Sequence, residues 1–162
     1  MTSRVHIRAA HPGDAEALAA FHVRAWRDTY AGEVPEHVYA RMAAEGPERW
    51  RQRLTDPQDS ATWLAVERDT GEVAGFSTAQ ATGPDDVRPL LLASLYVDAQ
   101  HRGDGLGQAL LEHAVGDAPA YLWVWEDNAR AQRFYERNGF RPDGVRRVEE
   151  QWGGIADLRM VR

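Results

Sequence analysis

The hydrophobic and polar positions of this chain change period several times, and each change marks an element. Val5 to Arg8 predicts a short first strand. Asp14 follows a Pro-Gly pair and suits a helix start, and Leu18, Phe21, Ala25 and Thr29 then fall on one helical face. Pro35 suits the first turn of a second helix, with Val38 and Met42 one turn apart. Pro47 is placed at the start of a third short helix carrying Trp50 and Leu54, so two or three helices are expected here. The period then shortens. "TWLAVERDTGEVAGFSTAQ" predicts two strands joined at Asp69-Thr70-Gly71. After the polar loop "ATGPDDVRP", the run "LLLASLYV" is apolar almost throughout, as in a strand covered on both faces.

Three glycines, Gly103, Gly105 and Gly107, separate that run from a helical stripe of Leu106, Leu110, Leu111, Ala114 and Val115. "AYLWVWE" predicts another buried strand and "NARAQRFYERNGF" a helix that stops at Asn138-Gly139. Two final strands are expected around Val145 to Trp152 and Ile155 to Val161, with Gly153-Gly154 as the turn. The order is one strand, two or three helices, three strands, a helix, a strand, a helix and two strands. That predicts an α/β (α+β) fold with a mixed sheet of about seven strands flanked by helices. The unit from Leu90 to Trp125 should hold a parallel pair.

Length and composition narrow the picture. At 162 residues, without repeats or linker-like segments, residues 1–162 read as one domain. The chain has no cysteine, which excludes disulfides, thiolate metal sites and a cysteine nucleophile; no metal is expected. No apolar run approaches the length of a membrane span, so a soluble, cytoplasmic protein without membrane partners is expected. A formal charge of -6 argues against a nucleic-acid partner and favours a cationic one. Arg130, Arg133, Arg137, Arg141, Arg146 and Arg147 crowd the C-terminal third and are read first as solvated surface.

The glycines carry the chemistry. A strand that feeds a helix through a flexible turn leaves free N–H groups at the positive end of the helix dipole, and glycines let an anion approach them. "HRGDGLG" therefore reads as an anion cradle, with a plain tight turn as the alternative. It is not the nucleoside-triphosphate loop, because Gly107-Gln108-Ala109 replaces Gly-Lys-Ser/Thr. Nor is it the dinucleotide fingerprint, because Gln108 stands where a glycine is needed.

"LYVDAQHRGDGLGQALLEHA" resembles the acetyl-coenzyme A motif of the GCN5-related N-acetyltransferase (GNAT) superfamily, R/Q-x-x-G-x-G/A, with Arg102, Gly105 and Gly107 at its defining positions. "LWVWEDNARAQRFYERNGFRPDG" resembles the family's second signature, N-x-x-A-x-x-F-Y-x-x-x-G-F. Asn128, Ala131, Phe134, Tyr135, Gly139 and Phe140 fall in its register. The close likeness covers about Leu90 to Gly144.

The resemblance implies a central parallel pair that splays apart, with acetyl-CoA as co-substrate in the gap. Backbone groups of Leu95, Tyr96 and Val97 would meet the pantetheine arm and the thioester carbonyl. Arg102, Gly103, Asp104, Gly105, Leu106, Gly107 and Gln108 would hold the pyrophosphate. Asn128 would touch the pantetheine, and Tyr135 would protonate the leaving thiolate. Phe134 reads as core.

Two departures stand out. Asp104 is acidic where many relatives carry a basic residue, and "PLLLASLYV" lacks the carboxylate many relatives use as base. An alkyl amine is only about 0.04% neutral at pH 7, so a base is needed. Glu126, Glu33, His101 or a water held by Ser94 are the candidates. In this fold the segment "RAWRDTYAGEVPEHVY" roofs the acceptor site, which makes Trp26, Tyr30 and Glu33 candidate acceptor contacts. Trp123 and Trp125 share one strand face and read as packing. The segment from Arg146 to Gly154 is left between closing the pocket and forming an interface, so a homodimer stays open.

The expected function is N-acetyl transfer from acetyl-CoA to a primary amine by direct attack in a ternary complex, a small-molecule amine being favoured over a peptide. A non-catalytic acyl-CoA sensor is the alternative.

Overall fold

The computed structural model describes residues 4–162. Seven strands form one sheet in the order β1-β2-β3-β4-β5-β7-β6. They are β1 (Val5–Ala9), β2 (Ser60–Glu67), β3 (Val73–Ala81), β4 (Leu90–Val97), β5 (Ala120–Trp125), β6 (Arg141–Glu149) and β7 (Ile155–Val161). The helices are α1 (Ala15–Tyr30), α2 (Glu36–Thr55), α3 (Leu106–Ala114) and α4 (Ala129–Arg137). Among the described residues only β4 and β5 pair in parallel. None of the helices described is long and apolar enough to cross a membrane.

The two faces of the sheet carry separate cores, as strand alternation requires. On one face Leu92, Leu122, Val124 and Met160 pack with Leu111, Tyr135 and Phe140. On the other, Phe76 and Leu64 meet Leu18, Phe21 and Trp50 of the first two helices. The apolar run of β4 serves both faces: Tyr96 lies with Phe76 and His22, while Leu95 and Val97 pack toward Leu106 and Leu110.

The helix count differs from expectation. Pro47 does not open a third helix; it sits inside α2, which runs unbroken for 20 residues. Packing outweighs the local proline signal. Val38, Tyr39 and Trp50 are buried along its length, and a side chain at Gly46 would stand 3.2 Å from Ala19, so α1 and α2 nearly touch there. The sixth strand also begins earlier than predicted, at Arg141, and Glu150–Trp152 form a 3-10 turn rather than strand.

Two irregularities shape the centre. The β3–β4 register runs from Thr78↔Ser94 to Ala79↔Leu92, so Ala93 is bulged out of the ladder. The β4–β5 pairing stops after Leu90↔Ala120, Leu91↔Tyr121 and Leu92↔Leu122. Beyond Leu92 the two strands diverge.

Candidate active site

A cavity of about 470 Å³ opens in that divergence. Its walls are β4 from Leu92 to Val97 and β5 from Trp123 to Trp125, with the glycine turn at one end and α4 along one side. The cavity therefore follows from the short parallel ladder. The unpaired backbone of β4 faces it, open to a ligand that pairs like an added strand.

The glycine turn has the geometry that an anion site needs. Gly103 and Gly105 both hold positive φ, +86° and +83°, which other residues adopt only at a cost. A side chain at either would meet nothing within 4 Å, so the space before them is open. Gly105 caps the N-terminus of α3. Gly107 differs: a Cβ there would stand 3.7 Å from the Phe134 ring, an ordinary contact, so α3 lies against α4 at this point without requiring a glycine.

Arg102, Gly103, Gly105, Gly107 and Gln108 line the cavity. Asp104 and Leu106 do not. Asp104 is 66% exposed and 3.9 Å from Nδ1 of His101, so its charge faces water rather than the cradle. The Leu106 side chain packs with Leu110, Ala65 and Ala74, which leaves only its backbone to the turn.

Arginines gather at this end. Arg130, Arg133 and Arg137, read from the sequence as solvated surface, line the cavity. Their spacing of three and four residues on one helix was the available signal. Burial and the neighbouring Arg102 both hold the Arg130 guanidinium below its ordinary basicity. Arg102 itself donates to Asp28 of α1.

Three phenols stand in the cavity wall. Tyr135 lines the cavity and is 8% exposed, and burial pushes its hydroxyl well above the ordinary phenol range. Its ring is fixed by Phe134 at 5.2 Å and Phe140 at 5.9 Å. Tyr96 and Tyr30 line the other side. Burial pushes Tyr96 up to about 12 and raises Tyr30 further, with Tyr96 adding to the effect on Tyr30. Asn128 also lines the cavity; its Oδ1 accepts from the Ala131 N–H at 3.1 Å and caps α4. Leu95 and Val97 complete the β4 side, and Ser94 lies among them.

The candidate bases fare differently. Glu126 accepts from Arg146 Nε and Nη2 at 2.7 and 2.8 Å, and that arginine holds it below the ordinary carboxylate range. A paired, weakened carboxylate outside the cavity wall is a poor base. His101 lines the cavity beside the cradle, but its Nε2 donates to Glu67 at 2.8 Å in a buried contact. Glu33 is exposed on the α1–α2 connection and lies outside the wall.

Of the acceptor candidates, Tyr30 is in the wall, whereas Trp26 is core, 4.9 Å from both the Tyr30 and Trp152 rings. Trp123 and Trp125, expected from the sequence to serve packing, both line the cavity. The segment before β7 packs on the α1–α2 connection: a Cβ at Gly153 would stand 2.8 Å from Pro35 and 3.1 Å from the Glu33 carbonyl.

The profile of the acetyltransferase (GNAT) domain family matches residues 58–142, more than half of the chain. The chain belongs to the GNAT acetyltransferase family. The matched segment runs from β2 through α4 and holds both the cradle and Tyr135.

A probable N-acetyltransferase of Mycobacterium tuberculosis is 30% identical over 152 residues, covering 88% of this chain and 83% of the relative. A streptothricin acetyltransferase of Streptomyces lavendulae is 31% identical over 158 residues, covering 85% and 82%. The fold is shared with the PaiA N-acetyltransferase of Thermoplasma acidophilum, solved with coenzyme A. The TM-score is 0.70 at 20% identity, with 97% of this chain and 98% of that one covered. The chain is accordingly an acetyl-CoA-dependent N-acetyltransferase of this family. Its seven-stranded sheet with one splayed parallel pair is the GNAT fold.

Proposed function

We propose that this acetyltransferase moves the acetyl group of acetyl-CoA directly onto a primary amine, both substrates being held at once in the splay between β4 and β5. The observation that carries the reading is the continuity of one cavity: it has an anion cradle at one end, a buried phenol on its flank and an aromatic wall toward α1. The chain has no cysteine to carry the acetyl group as a thioester.

The parts then take these roles. The N–H groups from Gly103 to Gln108, with Arg102 and Arg130 nearby, hold the diphosphate. An N–H of the Leu95–Val97 stretch donates to the thioester carbonyl and stabilises the oxyanion that forms on attack. Asn128 meets the pantetheine arm. Tyr135 gives its proton to the departing sulfur. A small-molecule amine is the favoured acceptor, because the inner wall is closed by Tyr30 and Trp125, whose rings stand 5.3 Å apart.

The direct test is release of free thiol from acetyl-CoA across a panel of alkyl, aryl and peptide amines. Amine-dependent release supports the reading. Tight acetyl-CoA binding with no release from any amine would instead favour a sensor.

The Arg102–Asp28 pair makes a separate prediction. Asp28 competes with the diphosphate for Arg102, so Asp28→Asn is expected to tighten acetyl-CoA binding about threefold, measured by titration calorimetry. Weaker binding by the variant would mean that Asp28 aims Arg102 rather than competing for it.

A further inference from the structure

We propose that Asp157 is the residue that makes the acceptor side of the cleft selective for a cationic amine; this rests on the acetyl-transfer reading above. Asp157 lies on β7, directly across from Trp125 of β5 and Arg147 of β6. Paired residues of adjacent strands share a face, so Asp157 stands on the Trp125 side of the sheet, toward α1. It is 4% exposed. Trp125, Tyr30 and Tyr96 line the cavity, and the charge of Asp157 is felt by both phenols.

The charges around it do not cancel. Arg147 donates to Oδ2 of Asp157 from Nε at 3.3 Å and from Nη2 at 3.2 Å. The same Arg147 also lies 3.0 Å from Glu149, so one guanidinium serves two carboxylates. The other charged groups nearby are already matched: Glu126 with Arg146 and Asp143 with Arg159. The group is left with one excess negative charge, and its Asp157 member is almost wholly hidden from water behind Trp125. Arg147 itself stacks over Trp123 at 4.2 Å, and its charge reaches Tyr30 as well, opposing that of Asp157 there. Burial raises the Asp157 carboxyl above its ordinary range while Arg147 pulls it back, and Glu149 and Glu126 push it up further.

A fixed negative charge behind aromatic rings attracts an ammonium in two ways. The rings offer their negative faces, and the carboxylate adds a field weakly screened by its surroundings. The acceptor class is therefore an alkyl amine that arrives protonated at neutral pH, not an aromatic amine or an amide.

The test uses benzyltrimethylammonium, which keeps its charge and cannot be acetylated, with benzyl alcohol as the uncharged counterpart. Binding is followed by tryptophan fluorescence of the full chain saturated with coenzyme A. The cation is expected to bind at least tenfold more tightly than the alcohol. Asp157→Asn should remove about tenfold of the cation's affinity and leave that of the alcohol unchanged, a difference that general loosening of the site does not produce. Asp157→Glu should restore part of it. Glu149→Gln, which removes the same excess charge from a more exposed position, should weaken the cation about threefold and serves as the readout if Asp157→Asn does not fold. Equal affinity of the wild type for the two probes, or no change in the variants that fold, would overturn the proposal. Because no turnover is involved, this result is separate from the thiol-release screen: a chain that binds the cation yet releases no thiol keeps the proposal and loses the function it rests on.

Discussion

Gly105→Glu is expected to raise the dissociation constant of acetyl-CoA at least a hundredfold in titration calorimetry while leaving the protein folded. The fold survives because a side chain at this position meets no atom within 4 Å. The φ of +83° adds a strain of about 1–2 kcal/mol for a residue with a Cβ, which a domain of this size tolerates. Binding fails for a different reason. Gly105 is the N-terminal cap of α3, and a glutamate there places its carboxylate against the same N–H groups that receive the diphosphate. It blocks those donors and repels the phosphates. A hundredfold corresponds to about 2.7 kcal/mol, within reach of one like-charge contact near a protein surface. Gly105→Ala carries the same backbone strain without the charge and is expected to weaken binding only a few fold. Were the glutamate variant to bind at full strength, the phosphates would have to lie elsewhere than this turn.

The same turn shows how far the sequence can be read. A strand, three glycines and a helical stripe are local features, and local features dictated the open glycine turn, the parallel β4–β5 pair and the end of α4 before Gly139. Features that depend on distant packing were not legible. Pro47 is a strong local signal for a helix start, yet the burial of Val38, Tyr39 and Trp50 against α1 carries one helix through it.

The arginines of α4 read as surface because a one-dimensional view cannot show that their helix borders a cavity. Asp157 was missed for the same reason. In "IADLRM" it is a single acid in a terminal strand, and its significance comes from the hairpin register that sets it against Arg147, ten positions earlier, and against Trp125 on a third strand. Glu126 and His101 were legible as titratable groups, but their partners Arg146 and Glu67 lie 20 and 34 residues away. The residue types announced the chemistry; only the register showed which charges were already spent.

Tyr135→Phe is expected to lower kcat by about two to three orders of magnitude and change acetyl-CoA affinity less than twofold. The ring is held by Phe134 and Phe140, and phenylalanine keeps both contacts, so the cavity wall stays in place. What is lost is one proton, and its transfer needs a close match in acidity. A free thiol resembles cysteine at about 8.5, while burial lifts Tyr135 well above the ordinary phenol value of about 10. On the ordinary values alone the transfer would run uphill by about 2 kcal/mol, and the raised Tyr135 adds to that. The sulfur, however, leaves into the same desolvated cleft, and burial raises the proton affinity of a thiolate as it does that of a phenolate.

The raised pKa also sets the pH dependence. Tyr135 holds its proton below that value and loses it only above, so it should contribute no alkaline decline in kcat up to pH 10. Tyr96 is the control, since it lines the same cavity with a phenol pushed up to about 12. Tyr96→Phe should cost at most a few fold in kcat. A reversed pattern, with Tyr96→Phe crippling turnover and Tyr135→Phe sparing it, would move the acid from α4 to β4.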